Sequence, residues 1–326
     1  MATTMNDVAR EAKVSRALVS LVFRDSPKVS PASRKRVLAA AEKLGYRPNA
    51  VARSLASRSS RTFGVLLNDI TNPFFAEVFE TIALSCEAAG YEILMGAGQR
   101  SLTRESAIIG NFLSLILVSP RMSSPKMKTE IGTTPTVVVG KSINLPNVDC
   151  VLNDEFVGAR LAIDHLHALG HRRITHITGG TGAGASDRKA AYQAAMAGLG
   201  LKAEIDIIAG DFTEQAGHVS ARAIMKRKVM PTAILAANDL VAVGLISEFR
   251  SAGLRVPQDI SIVGYDNSML AGLSLVSLTT VQQPLSALGQ TATQFMLERL
   301  AGRTSPTNLE LAPSLVVRDS TAAPRR

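Results

Sequence analysis

From Thr62 onward the chain alternates short apolar runs with stretches of helical period. The runs are FGVLL, YEILM, LILVS, TVVVG, RITHI, EIDII, TAILAA, ISIVGY and a late LVVRDS. Apolar runs of strand length, separated by amphipathic segments, form strand-helix-strand units, and these lay parallel strands in a sheet covered by helices on both faces. Nine runs are too many for one compact sheet. They fall into two similar halves, one ending near Leu152 and the other running from Asn153 to about Gln283. A body of two doubly wound α/β lobes flanking a cleft is therefore predicted.

The first sixty residues follow a different rule. MNDVAREA reads as a helix with Val8, Ala9 and Ala12 inward, followed by a turn at Lys13 and Val14 and a second helix capped by Ser15. On that second helix Leu18, Val19 and Val22 share one side, while Arg16, Ala17, Ser20, Leu21 and Arg24 lie on the other. A third helix opens with Ser30 as cap and Pro31 at its first position. It repeats apolar groups at Val37, Leu38, Ala41 and Leu44 and stops at Gly45. Three short helices around one small core make an all-α helix-turn-helix headpiece, with the second helix free to enter a major groove.

Charge supports a nucleic-acid partner for this segment. Residues 1–61 carry 13 Lys and Arg against 4 Asp and Glu, whereas residues 62–326 carry 23 of each. The whole formal excess of +9 sits in the first fifth of the chain, and neutralising phosphates is the main source of affinity for DNA. Next comes RPNAVARSLASRSSR, which can form a short helix from Ala50 to Ala56 with Val51 and Leu55 on one side. A Leu in so basic a linker fits a wedge between base steps of the minor groove, with Arg53, Arg58 and Arg61 on phosphates, or else docks on the following domain.

The run NDVAREAKVSRALVS…VSPASRKRVLAAAEKLGYRPNAVARSLAS resembles the headpiece and hinge of the lactose-repressor (LacI/GalR) family of bacterial transcription regulators, and the resemblance continues through almost the whole chain. It implies that Arg16, Ala17, Ser20 and Leu21 face bases, that Thr4, Ser15, Ser30, Ser33, Tyr46 and Asn49 touch the DNA backbone, and that Leu55 is the hinge wedge. Lys13 stands where the family usually has Gly, and Leu18 and Leu21 replace a common Thr and Arg. An apolar Leu21 can read a thymine methyl but not a guanine edge.

The predicted organisation is a helix-turn-helix domain at 1–48 and a hinge at 49–61. A first core subdomain spans 62–152 with 284–313, a second spans 153–283 with 314–322, and the tail is 323–326. The resemblance implies a core of the periplasmic-binding-protein-like kind.

In open α/β sheets, ligands bind beyond the carboxyl ends of the strands. Asn68, Ser119, Phe212, Asn238 and Asp266 each follow a strand, Arg188 opens a helix after RITHITGG, and Phe74 and Phe75 enter the helix after the first strand. Amides, a carboxylate, a guanidinium and aromatic faces suit a polyhydroxylated molecule. By resemblance, Asn68, Phe74, Ser119, Arg188, Phe212, Asn238, Asp266 and Gln283 occupy effector-pocket positions. Asn238 and Asp266 are also residue types that simply cap helices or turns, and Phe75 is a core candidate.

An enzyme is the main rival reading, through the glycine-rich GGTGAGASD. Its spacing puts Asp187 where the third Gly of a dinucleotide fingerprint belongs, and a carboxylate there repels phosphate. His165, His167 and His171 are expected to face solvent. Cys86 and Cys150 lack metal-ligand spacing and read as structural thiols. No cofactor and no metal site are predicted. A sugar-binding transport protein would share the two lobes, but not the basic headpiece, and would carry an export signal that the opening MATTMNDVAREAKV lacks.

The expected function is thus that of a cytoplasmic repressor binding a palindromic operator as a homodimer under control of a sugar-like effector. The tail RDSTAAPRR has no Leu heptads to join two dimers. The passage GNFLSLILVSP is expected to run from helix to strand with almost no loop, which bears on the geometry around Ser119.

Overall fold

A computed structural model describes residues 4–23, 26–46 and 62–325. These form two units, one within residues 1–61 and one within residues 62–326.

In the first unit, α1 (Met5–Glu11) starts at Thr4, whose side chain accepts the Asp7 N–H while Asp7 Oδ2 accepts the Thr4 N–H at 2.9 Å. This reciprocal cap satisfies two donors that a helix start leaves open. Val8, Ala9 and Ala12 turn inward. Lys13 makes the turn at φ +53°, so the chain accepts a left-handed residue with a side chain where glycine carries no such penalty. Helix α2 (Arg16–Phe23) is capped by Ser15, whose Oγ accepts the Leu18 N–H at 3.2 Å. Helix α3 (Pro31–Lys43) is capped by Ser30 and buries Val37, Ala40 and Ala41. Leu38, counted above with the apolar repeat, is 48% exposed, because it lies on the flank of that stripe. Gly45 at φ +61° ends the helix, with its N–H on Glu42 O and the Tyr46 N–H on Ala41 O at 2.8 Å, the paired bonds of a left-handed helix stop.

The second unit contains two six-stranded sheets. The first has the order β11-β5-β4-β3-β1-β2, built from β1 (Thr62–Leu67), β2 (Glu92–Ala97), β3 (Leu115–Val118), β4 (Thr136–Val139), β5 (Val148–Asn153) and β11 (Asn308–Leu311), all parallel. The second has the order β12-β10-β9-β8-β6-β7, from β6 (Ile174–Ile177), β7 (Asp206–Ile208), β8 (Ala233–Leu235), β9 (Ser261–Asp266), β10 (Thr279–Gln282) and β12 (Ser314–Val316), with only β12 antiparallel. The chain passes between the sheets three times: after β5, after β10 and between β11 and β12. The first-sheet helices are α4 (Pro73–Ala88), α5 (Leu102–Ile109), α6 (Ser124–Ile131) and the returning α11 (Leu285–Leu300). Those of the second are α7 (Glu155–Ala168), α8 (Ala185–Gly198), α9 (Glu214–Met225) and α10 (Asp239–Ser251).

Three strands escaped the sequence reading. Asp149 interrupts β5, β10 is half threonine, and β11 is an exposed edge, so none shows a clean apolar run. Buried Asp149 is paid for by Arg299 at 2.6 and 2.8 Å, Arg303 at 2.8 and 3.0 Å and the Thr307 N–H at 2.7 Å. This cluster fastens α11 and the segment after it to the first lobe.

Two further expectations need correction. The link between α5 and β3 is not absent: helix α5 ends at Ile109 and residues 110–114 form a turn in which Phe112 fills the space beside Gly64. His171 is not solvent-facing. It is buried, with its ring nitrogens on Thr232 Oγ1, Ser261 Oγ and Ala322 O, and half-buried His165 reaches Thr321 Oγ1 at 2.9 Å. Both histidines pin the C-terminal segment, a role invisible until the tail folds back. Cys86 and Cys150 are free and buried.

Candidate functional site

On the headpiece, Ser15, Arg16 and Ala17 are exposed at the start of α2, while Val19 and Val22 are buried. Leu18 and Leu21 are half-buried against the same core, so Leu21 divides its surface between packing and solvent. Thr4 and Ser30 are exposed caps, Ser33 donates its N–H to Ser30 Oγ, and Tyr46 tilts against Phe23 with ring centroids 5.6 Å apart. Ser20 is half-buried. Asn49, Arg53 and Leu55 lie outside the described residues.

Between the lobes lies a cleft of about 350 Å³, and all eight residues singled out for an effector line it. In the first lobe Asn68 follows β1 and Ser119 follows β3, the latter at φ +51°. Asn72 caps α4 by accepting the Phe74 N–H at 3.0 Å, and Pro73 sets the first turn, which carries Phe74 and Phe75 into the wall with their rings edge to face at 5.1 Å. The Asn68 Oδ1 is buried and has no hydrogen-bond partner among the described residues.

In the second lobe Arg188 is 4% exposed. Its Nε and Nη2 meet Glu155 at 2.8 and 3.0 Å, its Nη1 donates to Ala237 O, and its guanidinium lies 3.4 Å from the centroid of the Tyr265 ring. The Phe212 ring stands 5.7 Å away. Asn238 serves as a helix cap, accepting the Val241 N–H at 3.0 Å, and its amide donates to Phe212 O at 3.2 Å. Gln283 donates to Asp266 Oδ1 at 2.7 Å. Burial, reinforced by neighbouring Asp239, pushes the Asp266 carboxyl well above the usual carboxylate range. Asp239 itself is pushed up to about 6 by burial, against the hydrogen bonds it accepts from Thr280 and Ser268.

The glycine-rich turn serves packing. A Cβ on Gly179 would come within 2.2 Å of the Phe212 ring and one on Gly182 within 2.5 Å, so both glycines seat that aromatic wall. Asp187 is exposed on α8.

Several cleft residues were missed. Glu155 follows β5, so the rule of strand carboxyl ends would have found it had β5 been recognised. Arg100 and Arg121 also line the cleft. Glu105 stands behind it: fully buried on α5, it accepts the Arg121 N–H at 2.9 and 3.2 Å and the Met122 N–H at 3.2 Å, fixing the loop that carries Ser119 and Arg121. Burial raises its carboxyl against those bonds. Nothing in LTRESAII distinguishes Glu105 from a surface residue. Among the described residues no His, Cys, Asp and Glu cluster could hold a metal ion, and no helix is long and apolar enough to cross a membrane.

Residues 4–49 match the family model for bacterial regulatory proteins of the lacI family, and residues 163–321 match that of a periplasmic binding protein-like domain. The HTH-type transcriptional repressor PurR of Erwinia tasmaniensis is 35% identical, with 98% of this chain and 97% of the relative aligned. The crystal structure of the Lac repressor dimer bound to operator and the anti-inducer ONPF matches with TM-score 0.86 and 28% identity, over 99% of this chain and all of that one. The complex of the transcriptional regulator CelR with cellobiose matches with TM-score 0.72 and 29% identity over 98% and 99% of the two chains. With a basic helix-turn-helix unit, a two-lobed core with a ligand-sized cleft, and relatives matching from end to end, the chain belongs to the LacI family of DNA-binding transcription regulators.

Proposed function

We propose that the chain is a repressor that docks the Arg16, Ala17, Ser20 and Leu21 face of α2 in successive major grooves of a pseudo-palindromic operator as a homodimer, under control of a neutral, hydroxyl-rich effector of the sugar or polyol class held in the cleft. A two-fold dimer matches a two-fold operator. Leu84 on α4 and Leu94 and Met95 on the edge strand β2 are exposed apolar groups that a second copy would cover. The Lac repressor structure, a dimer bound to operator, and the CelR structure, a complex with cellobiose, support both halves of this reading.

The effector class rests on one observation: the buried cation of the cleft is already neutralised. Glu155 holds Arg188 through two hydrogen bonds, and Arg100 is engaged by Asp211. An anionic ligand would meet the Glu155 carboxylate without a free buried cation to offset it, and desolvating an unpaired charge is costly. A neutral hydroxyl fits better. Arg188 has five N–H groups by its chemistry, and one on each Nη is left to donate to ligand oxygens, while Asn68 Oδ1 awaits a donor and Phe74 and Phe212 offer apolar faces.

Matched pairs test this by thermal shift and calorimetry: ribose with ribose 5-phosphate, glucose with glucose 6-phosphate, cellobiose with cellobionate. Stabilisation by neutral members alone is expected, and a response confined to the anions would overturn the reading. Selection of binding sites from random duplex, with and without any hit, should return two inverted half-sites. Sedimentation velocity should give a dimer.

A further inference from the structure

The mouth of the cleft is crossed by an ion pair. Arg100 Nη2, from the first lobe, lies 2.9 Å from Asp211 Oδ2 of the second. Both ends are built to meet. Gln99 and Arg100 sit at φ +48° and +57°, two successive left-handed residues with side chains, and the Arg100 N–H is tied to Asn68 O at 2.9 Å. This conformation is unfavourable for any residue with a Cβ, and persists where the surrounding structure imposes it, commonly at functional positions. Opposite, Asp211 is oriented by Thr213, whose N–H donates to Oδ1 at 2.8 Å and whose hydroxyl donates to the same atom.

Placement gives the pair its meaning. Arg100 borders both the inner cleft and an outer cavity of about 490 Å³, as does Phe212, the residue after Asp211. The two cavities therefore meet at the bridge. Its first-lobe end is linked through Asn68 to one ligand wall, and its second-lobe end is adjacent in the chain to the other. A second tie, Arg121 Nη2 to Thr181 Oγ1 at 2.9 Å, also joins the lobes.

We propose that Arg100 and Asp211 form an ionic latch that holds the two lobes together at the boundary of inner cleft and outer cavity, so that opening of the cleft is governed by ionic strength as well as by the ligand. The proposal rests on the cleft being the effector site only for its regulatory consequence; the latch itself acts without ligand. Side-chain exposures of 32% for Arg100 and 43% for Asp211 leave the pair open to counterions, which screen such charges over about 8–10 Å at physiological salt. Pairs of this exposure shift an equilibrium by about two- to fivefold.

Hydrogen exchange by mass spectrometry on the full-length, ligand-free protein provides the test, read on peptides covering 95–103 and 208–214. Raising NaCl from 20 to 500 mM should speed exchange there about two- to fivefold in the wild type. Arg100→Met should show the faster exchange already at low salt and no further response. The charge swap Arg100→Asp with Asp211→Arg should restore salt-sensitive protection, which separates a latch from a local folding defect. Equal exchange in wild type and Arg100→Met, an undiminished salt response in that variant, or a swap that fails to restore protection would each overturn the latch. Failure of every sugar to bind would count against the effector reading and leave these outcomes unaffected.

Discussion

Arg188 and Glu155 meet through two hydrogen bonds of 2.8 and 3.0 Å, both side chains almost wholly removed from water. Removing one partner of such a pair strands the other charge. Arg188→Met should therefore cost about 3–5 kcal/mol of stability, while Arg188→Met with Glu155→Gln should recover most of it. Urea unfolding of the three proteins decides, and equal loss in the single and double variants would show that the pair is not what the site needs. Arg188 is thus a structural keystone of the cleft.

Asp266 is expected to make stability fall with rising pH. Burial and Asp239 keep its carboxyl protonated above its ordinary value of 3.8. Its stabilising contribution is complete below that value and is lost as pH rises through the raised one. Asp266→Asn keeps an oxygen to accept from Gln283 yet never ionises. The stability of this variant relative to wild type should then grow above about pH 4, at up to 1.4 kcal/mol per pH unit. Denaturation between pH 4.5 and 8 measures the difference, and parallel profiles would refute it.

Gly179→Ala should push the Phe212 ring out of its seat, since the added Cβ would approach to 2.2 Å. Affinity for any cleft ligand should fall about tenfold or more, a loss of at least about 1.4 kcal/mol. Adding Phe212→Leu to Gly179→Ala should recover fold stability but not affinity. Calorimetry and thermal melts separate the two effects.

Arg16→Ala should weaken operator binding by about 1–3 kcal/mol and relax preference at the base it faces, the signature of a base contact. A uniform loss across all sequences, with a shallower salt dependence, would assign Arg16 to phosphate instead. Band-shift titrations on the selected operator and on single-base variants discriminate.

Lys13→Gly should stabilise the headpiece by roughly 0.5–1 kcal/mol, because φ +53° carries no steric penalty for glycine, whose greater unfolded-state entropy takes back part of the gain. Slower exchange of the α1 and α2 amides would register it. Faster exchange would show that the Lys13 side chain supplies more than the strain removes.

Much of this architecture is written locally. The caps at Ser15 and Ser30, the stop at Gly45 and the apolar stripe through Val19 and Val22 depend on neighbours within a turn or two, so the periodicity of the chain alone determines the headpiece. Strand ends likewise marked Asn68, Ser119, Phe212, Asn238 and Asp266, because a parallel sheet brings its carboxyl ends to one side whatever the side chains are. What only the tertiary structure decided is how the polar atoms are spent. Arg188 and Glu155 are 33 residues apart and Arg100 and Asp211 are 111 apart. Glu105 lies in a stretch that reads as an ordinary surface helix, yet it is enclosed by a loop 16 residues further on. Local pattern records which face of an element is buried. Which charge meets which depends on chain crossings that no local pattern contains, and in this protein those meetings set the character of the cleft.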